Sequence, residues 1–212
     1  MRVLMSELEM IAADRLDNFA RERAINLRKQ FEFLPTLAVD AVRLIVCELA
    51  FQLYLPFVNK FSVGNKMALR QLLDRAWFSL IEKEELPEAT FVQDRLNDAE
   101  LTEDDWDDLS ATDAVAAICI IDACFDNLGG NSNHLAALSS GMEMLFVHEV
   151  KKMMDDCARS NEDLEELAVS VESGKAIIPS EQLLLSVVKR ASSVENNSDQ
   201  FLDWAIQTYK TS

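Results

Sequence analysis

The chain has 212 residues, of which 49% are hydrophobic and 27% charged; this suits one folded domain with a sizeable core and excludes a disordered chain. Only 5 glycines and 4 prolines interrupt it, so long helices are expected and a β-sandwich, with its many tight turns, is not. The formal charge of −17 repels nucleic-acid phosphate and anionic membranes, so neither is an expected partner, and it attracts basic proteins.

The first helix is predicted to start at Ser6, because Ser6 and Glu9 have capping-box spacing and each would satisfy the other's free amide. Leu8, Ile11, Leu16, Phe19 and Leu27 follow at roughly helical spacing. Arg21, Arg23, Arg28 and Lys29 crowd its last turns, where cations suit the negative end of the dipole, and Pro35 ends it. A second helix is expected from about Thr36 to Tyr54, with Pro56 ending or kinking it. Its apolar residues lie on all sides, which places it in the middle of a bundle. Asp40, Arg43, Glu48, Gln52 and Pro56 interrupt the apolar run from Leu37 to Val58, so it reads as a core helix and not a membrane span.

A third helix, about Asn65 to Lys83, turns Leu69, Leu72, Leu73, Ala76, Trp77 and Leu80 inward, and Pro87 closes it. A short helix near Glu88–Asn97 leads into the stretch "LNDAELTEDDWDDLSATDAV". The next helix is predicted over Thr112–Leu128, capped by Ser110 or Thr112, with Asp113 in its first turn. Gly129 and Gly130 supply its left-handed cap. Asn131 or Asn133 opens a further helix to about Ala158, in which Gly141 marks a close helix–helix approach or a weak point. The tail holds three more helical stretches, "NEDLEELAVSVESG", "PSEQLLLSVVKRA" and "DQFLDWAIQTYK", with "SSVENNS" a turn between the last two. There is no internal repeat and no domain linker. The expected fold is a single all-α domain over residues 1–212, a bundle of about seven to nine helices.

Cys47, Cys119, Cys124 and Cys157 form no CxxC pair and sit in apolar or helical contexts; they read as reduced, buried thiols of a cytosolic chain. The start, "MRVLMSELEM", has no apolar run long enough for a signal peptide, so a cytoplasmic location is expected.

Motifs for chemistry are missing. His134 and His148 lie on one predicted helix, about 21 Å apart at helical rise, too far to share a metal through that helix. No HExxH, Glu-x-x-His, EF-hand, GxGxxG, GxxxxGK[ST] or GxSxG pattern occurs, and "NLGGNSN" reads as a cap and turn. No catalytic residue, metal site or cofactor is therefore assigned. Asp122 and Asp126, one turn apart, could do acid–base work; they read better as a polar stripe facing Arg70 or Arg75 on a neighbouring helix.

The charge is segregated. Residues 82–126 carry 15 acids and 2 bases, whereas residues 1–81 carry 9 acids and 11 bases. Eight carboxylates lie between Asp98 and Asp113 with no basic residue among them. Trp106, in their middle, reads as an anchor whose ring turns into the bundle beside Leu109. The aspartates read as a surface for a basic partner, because such surfaces speed association by about ten- to a thousand-fold. The expected contacts are Asp104, Asp105, Trp106, Asp107 and Asp108, with Asp98, Glu100 and Glu103 steering.

The order "LRQLLDRAWFSL", "DDWDD", "ATDAVAAICIIDACFDNL", "HLAALSSGMEMLFVHEV" resembles the YjaG-like family of helical bacterial proteins over roughly residues 65–150. The resemblance implies a cytoplasmic, all-helical protein. It touches Leu72, Leu73, Asp74, Trp77, Asp104, Asp105, Trp106 and Asp107 and gives none of them a catalytic role. The chain is also similar in type to small acidic helical immunity proteins, which neutralise polymorphic toxins. The leading expectation is a non-enzymatic immunity protein that covers the active site of a basic toxin such as a nuclease. The alternatives are a ligand-binding or enzymatic bundle, with Asp74, Asp122, Asp126 and His148 converging inside, and an adaptor for another basic partner.

Overall fold

A helix that is apolar on every side has no face to give to water and must be surrounded. The computed structural model, which describes residues 7–101, 109–125, 133–160, 163–193 and 198–210, places such a helix at the centre. The helices are α1 (Glu7–Phe31), α2 (Thr36–Phe61), α3 (Lys66–Glu82), α4 (Ala89–Ala99), α5 (Leu109–Phe125), α6 (His134–Ser160), α7 (Leu164–Glu172), α8 (Pro179–Ser193) and α9 (Ser198–Tyr209), and no strand occurs among the described residues. The fold is all-α. α2 packs against α3, α5, α6, α8 and α9, while α1 lies outside them against α6, α7 and α8. α2 is the one described helix long and apolar enough to cross a membrane, and 72% of its most apolar window is buried inside the bundle.

Pro56 does not end α2, which runs on to Phe61. Pro56 itself is exposed, so the carbonyl that loses its amide partner faces water, while the neighbouring Phe57 and Val58 stay buried and hold the last turns to the core. α5 starts at Leu109, ahead of the expected Thr112, which puts Ser110 and Thr112 inside the helix and Asp113 in its second turn. Burial of Ala111 and Ala114 extends the helix beyond its polar cap candidates. For α6 the opening residue is Asn133, whose side chain accepts from the Ala136 amide at 3.1 Å. The expected Ser6–Glu9 capping box and Gly129–Gly130 cap lie outside the described residues.

α3 shows how sequence spacing becomes packing. Asn65 caps it by accepting from the Ala68 amide at 3.1 Å. Leu69, Leu72, Leu73, Ala76, Trp77 and Leu80 are all buried, as their spacing predicts. Glu48 of α2 is also buried, and the Arg70 guanidinium grips it in a fork, at 2.9 and 2.8 Å. Trp77 Nε1 donates to the same carboxylate at 2.9 Å. Burial alone would lower the Arg70 pKa, but the hydrogen bonds and charge of Glu48 outweigh it and raise it.

Gly141 is the close approach its position in α6 suggests. A Cβ there would collide with Cys124 Sγ and lie 3.5 Å from Val46 Cγ1, so the α6 backbone touches α5 and α2 at once. Cys47, Cys124 and Cys157 are buried, whereas Cys119 is exposed. The inward face of α5 is taken by Ala117, Ile120, Ile121 and Cys124, which leaves Cys119 on the outside.

This packing is testable at two places. Replacing Glu48 by Ala removes the bidentate partner of a buried guanidinium and leaves an indole N–H without its acceptor, and urea unfolding should show a loss of about 3 kcal/mol; the combined Glu48→Leu, Arg70→Met, Trp77→Phe variant should recover much of it. Gly141→Ala should cost about 1–3 kcal/mol by overpacking, and clearly less in a Cys124→Ala background, because the added methyl then takes the space of the sulfur.

Candidate functional site

The acidic run between α4 and α5 is held at both ends. On the entry side α4 is amphipathic: Val92, Leu96 and Ala99 are buried, and Asp94, Asp98 and Glu100 are exposed. The chain then buries Leu101 beside Gly64, in the turn after α2. Tyr54, on α2, donates its hydroxyl to the Ala99 carbonyl at 2.8 Å and accepts the Asn65 amide at 3.0 Å. The backbone at Gly64 has φ +69°, and a Cβ there would collide with the Tyr54 hydroxyl and come within 3.1 Å of Leu101 Cδ2. Only glycine combines that conformation with that approach. Burial pushes the Tyr54 hydroxyl above the usual phenol range, so it stays a donor.

On the exit side, Asp113 Oδ1 lies 2.9 Å from Nε2 of the buried His148, and its Oδ2 accepts from Lys152 at 2.9 Å. Asp113 thus ties α5 to α6 and does not cap its own helix. Of the predicted contacts, Asp98 is exposed and paired with Arg95 at 2.9 Å, and Glu100 is exposed at the C-terminal end of α4. Glu103, Asp104, Asp105, Trp106, Asp107 and Asp108 lie outside the described residues, and with them the direction of the Trp106 ring.

Carboxylates are compensated unevenly over the surface. The arginines of α1, expected to act on their own helix dipole, reach to other helices. Arg15 holds Glu165 and Glu172, Arg21 holds Glu143, and Arg23 holds Glu181. The mutual hydrogen bonds keep the Glu172 carboxyl below, and the Arg15 guanidinium above, their usual ranges. At the α3–α4 edge the picture reverses. Glu82, Glu85, Glu88, Asp94 and Glu100 are all exposed, and among the described residues the only ion pairs of the neighbouring acids are Glu84 with Arg75 at 3.4 Å and Asp98 with Arg95.

Among the described residues, the members of the second predicted constellation turn to different partners. Asp74 faces Arg70 at 3.1 Å and Lys210 at 3.8 Å, Asp122 accepts from Gln93 of α4 at 3.0 Å, and His148 meets Asp113; Asp126 lies outside the described residues. Arg70 and Arg75 are not the partners of Asp122. Arg70 turns inward to Glu48, and Arg75 pairs with Glu84, because α3 packs on α2 and α4 while Asp122 looks towards α4. Among the described residues no three His, Cys, Asp or Glu side chains are grouped to hold a metal ion.

Two polar clusters are not anticipated from the sequence. Asp40 Oδ1 lies 2.7 Å from both Arg43 Nη1 and His134 Nδ1, and Arg43 Nε donates to the Cys124 carbonyl at 3.0 Å. Arg43 therefore closes the last described turn of α5, where helix carbonyls lack amide partners. The signal was in the sequence: an acid and a base three apart inside an apolar helix must find partners when buried. The second cluster is Glu149 of α6, which accepts from the Ser180 amide at 3.1 Å and hydroxyl at 2.6 Å and so caps α8. Burial pushes its carboxyl above the usual range despite those bonds. Both clusters join helices: Arg43 and Asp40 of α2 to α5 and α6, and Glu149 of α6 to α8.

Comparison with protein-family models, curated proteins and solved structures yields no significant match to this chain. The entry anchor of the acidic run is testable from its geometry. Tyr54→Phe leaves the Ala99 carbonyl and Asn65 amide without their partner and should cost about 1–3 kcal/mol in denaturant unfolding. Amide exchange at residues 99–101 should accelerate more than in α5 or α6, because the lost bond pins that stem.

Proposed function

We propose that the chain is a non-enzymatic protein-binding module that receives a basic partner on its acidic side, and that it serves in the cytoplasm as an immunity protein covering the active site of a toxin. The observation that carries this reading is the uneven pairing of carboxylates. Arginines of α1 neutralise Glu143, Glu165, Glu172 and Glu181, whereas the exposed acids around α4, which lead into Glu103, Asp104, Asp105, Asp107 and Asp108, are left mostly to water. Like charges held together on a surface repel each other, and a basic partner relieves that repulsion while being steered by it. A nuclease groove, built to hold phosphate, offers the matching charge.

The test is co-purification with basic nuclease-toxin domains, starting with any encoded beside the gene, followed by binding kinetics at rising salt. Affinity should fall steeply with salt. Exchanging Asp104, Asp105, Asp107 and Asp108 for Asn should slow association by about tenfold or more while changing dissociation less. An unchanged association rate in that variant would sink the acidic-interface reading.

A further inference from the structure

Between α1 and the turn that joins α7 to α8 lies a cleft of about 380 Å³. That is at the small end of the roughly 300–1,000 Å³ range of ligand pockets. Phe19 of α1, Val171 of α7, Ile178 just before α8 and Leu185 of α8 give it apolar walls. The half-exposed Ile177 lines it as well. Its ionised groups are Arg23, Glu172 and Glu181.

Glu181 is the informative one. Its side chain is only 9% exposed, against 43% for Arg23. Arg23 Nε donates to Oε1 at 2.6 Å, and Nη2 turns to the same oxygen. Among the described residues Oε2 has no hydrogen-bond donor. A carboxylate has room for about four donors, and a buried one that is short of them gains from another. Glu181 lines the cleft, so a ligand there comes within its reach.

We propose that this cleft binds a small organic ammonium ion with an aromatic or branched aliphatic body. The ammonium donates to Glu181 Oε2, and the body covers Phe19, Ile178 and Leu185. Apolar walls alone would admit any oily molecule; the unclaimed acceptor selects one that carries a donor. A carboxylate ligand is disfavoured, because Glu172 and Glu181 outnumber Arg23 in the lining, and the exposed Lys175 nearby does not join it. An alcohol also offers a donor, but a charged donor makes the stronger bond to a carboxylate. The site is independent of the acidic run, none of whose residues line the cleft.

The probe is phenethylamine, with phenethyl alcohol and phenylacetate as matched neutral and anionic compounds. Each is titrated into the full chain by calorimetry and by amide NMR. At neutral pH the amine should bind at least about tenfold more tightly than the alcohol, as a charge-assisted hydrogen bond implies, and the acid more weakly still. Amide shifts should centre on Phe19–Arg23 and on residues 174–185. Glu181→Gln keeps the side-chain shape, removes the charge and should abolish the preference for the amine. That change also loosens Arg23, so Ile177→Lys is a second variant. Ile177 is half exposed, so melting should hold, while the new cation should weaken the amine by about threefold or more and leave the alcohol unchanged. Equal binding of amine and alcohol overturns the proposal, as does no binding of the amine at up to about 20 mM. So do amine shifts confined to residues 94–113, or an amine affinity that neither variant changes.

Discussion

A single carboxylate in the middle of the bundle, Glu48, orders the half of the molecule that carries the acidic face. It sits on α2 at 2% exposure and takes both arms of Arg70 and the indole N–H of Trp77 from α3. Hydrophobic contact alone would let α3 slide along α2 with small loss, because one Leu and Ala face fits another almost as well. A buried charge with three directed donors is not interchangeable. One register satisfies it, and any other leaves a charge without partners in a medium that penalises it heavily. α4 packs on α3, so the placement of the exposed Asp94 and Asp98 on α4 follows from this contact.

Tyr54 does for the stem of the acidic run what Glu48 does for α3. Its hydroxyl joins the loop after α2 to the end of α4, and Gly64 supplies the space and the positive φ that the approach requires. Together with the Asp113–His148–Lys152 contact in α5 and α6, it fixes the two stems of a segment rich in like charges. The two anchors lie where the described chain enters and leaves that segment, at Ala99–Leu101 and at Asp113.

The helical order, the inward set of α3 and the close approach at Gly141 are all legible in the sequence, because they follow from local periodicity and from one residue's missing Cβ. The departures have a common origin. Pro56 has the look of a stop, but its exposed side allows the helix to continue. Ser110 and Thr112 have the look of caps, but burial of Ala111 and Ala114 carries α5 past them. Cys119 is of a type usually buried, and the rotation of α5 puts it outside. At α5, packing overrides a cap preference of about 1 kcal/mol; at Pro56, the buried turns on either side offset a helix-interior proline cost of about 3 kcal/mol.

The candidate site divides along the same line. Sequence by itself determined that acids crowd residues 82–126 and that bases crowd the last turns of the first helix, since composition is additive and needs no fold. It also determined that α2 is central, because apolar residues lie on every side of that helix. Only the tertiary structure decided which carboxylates are neutralised. Arg15 reaches Glu165 across 150 positions of sequence, and Arg70 turns away from Asp122 to a buried acid 22 residues before it. Charge pairing acts over a few ångströms, and only helix packing sets which residues come within that distance.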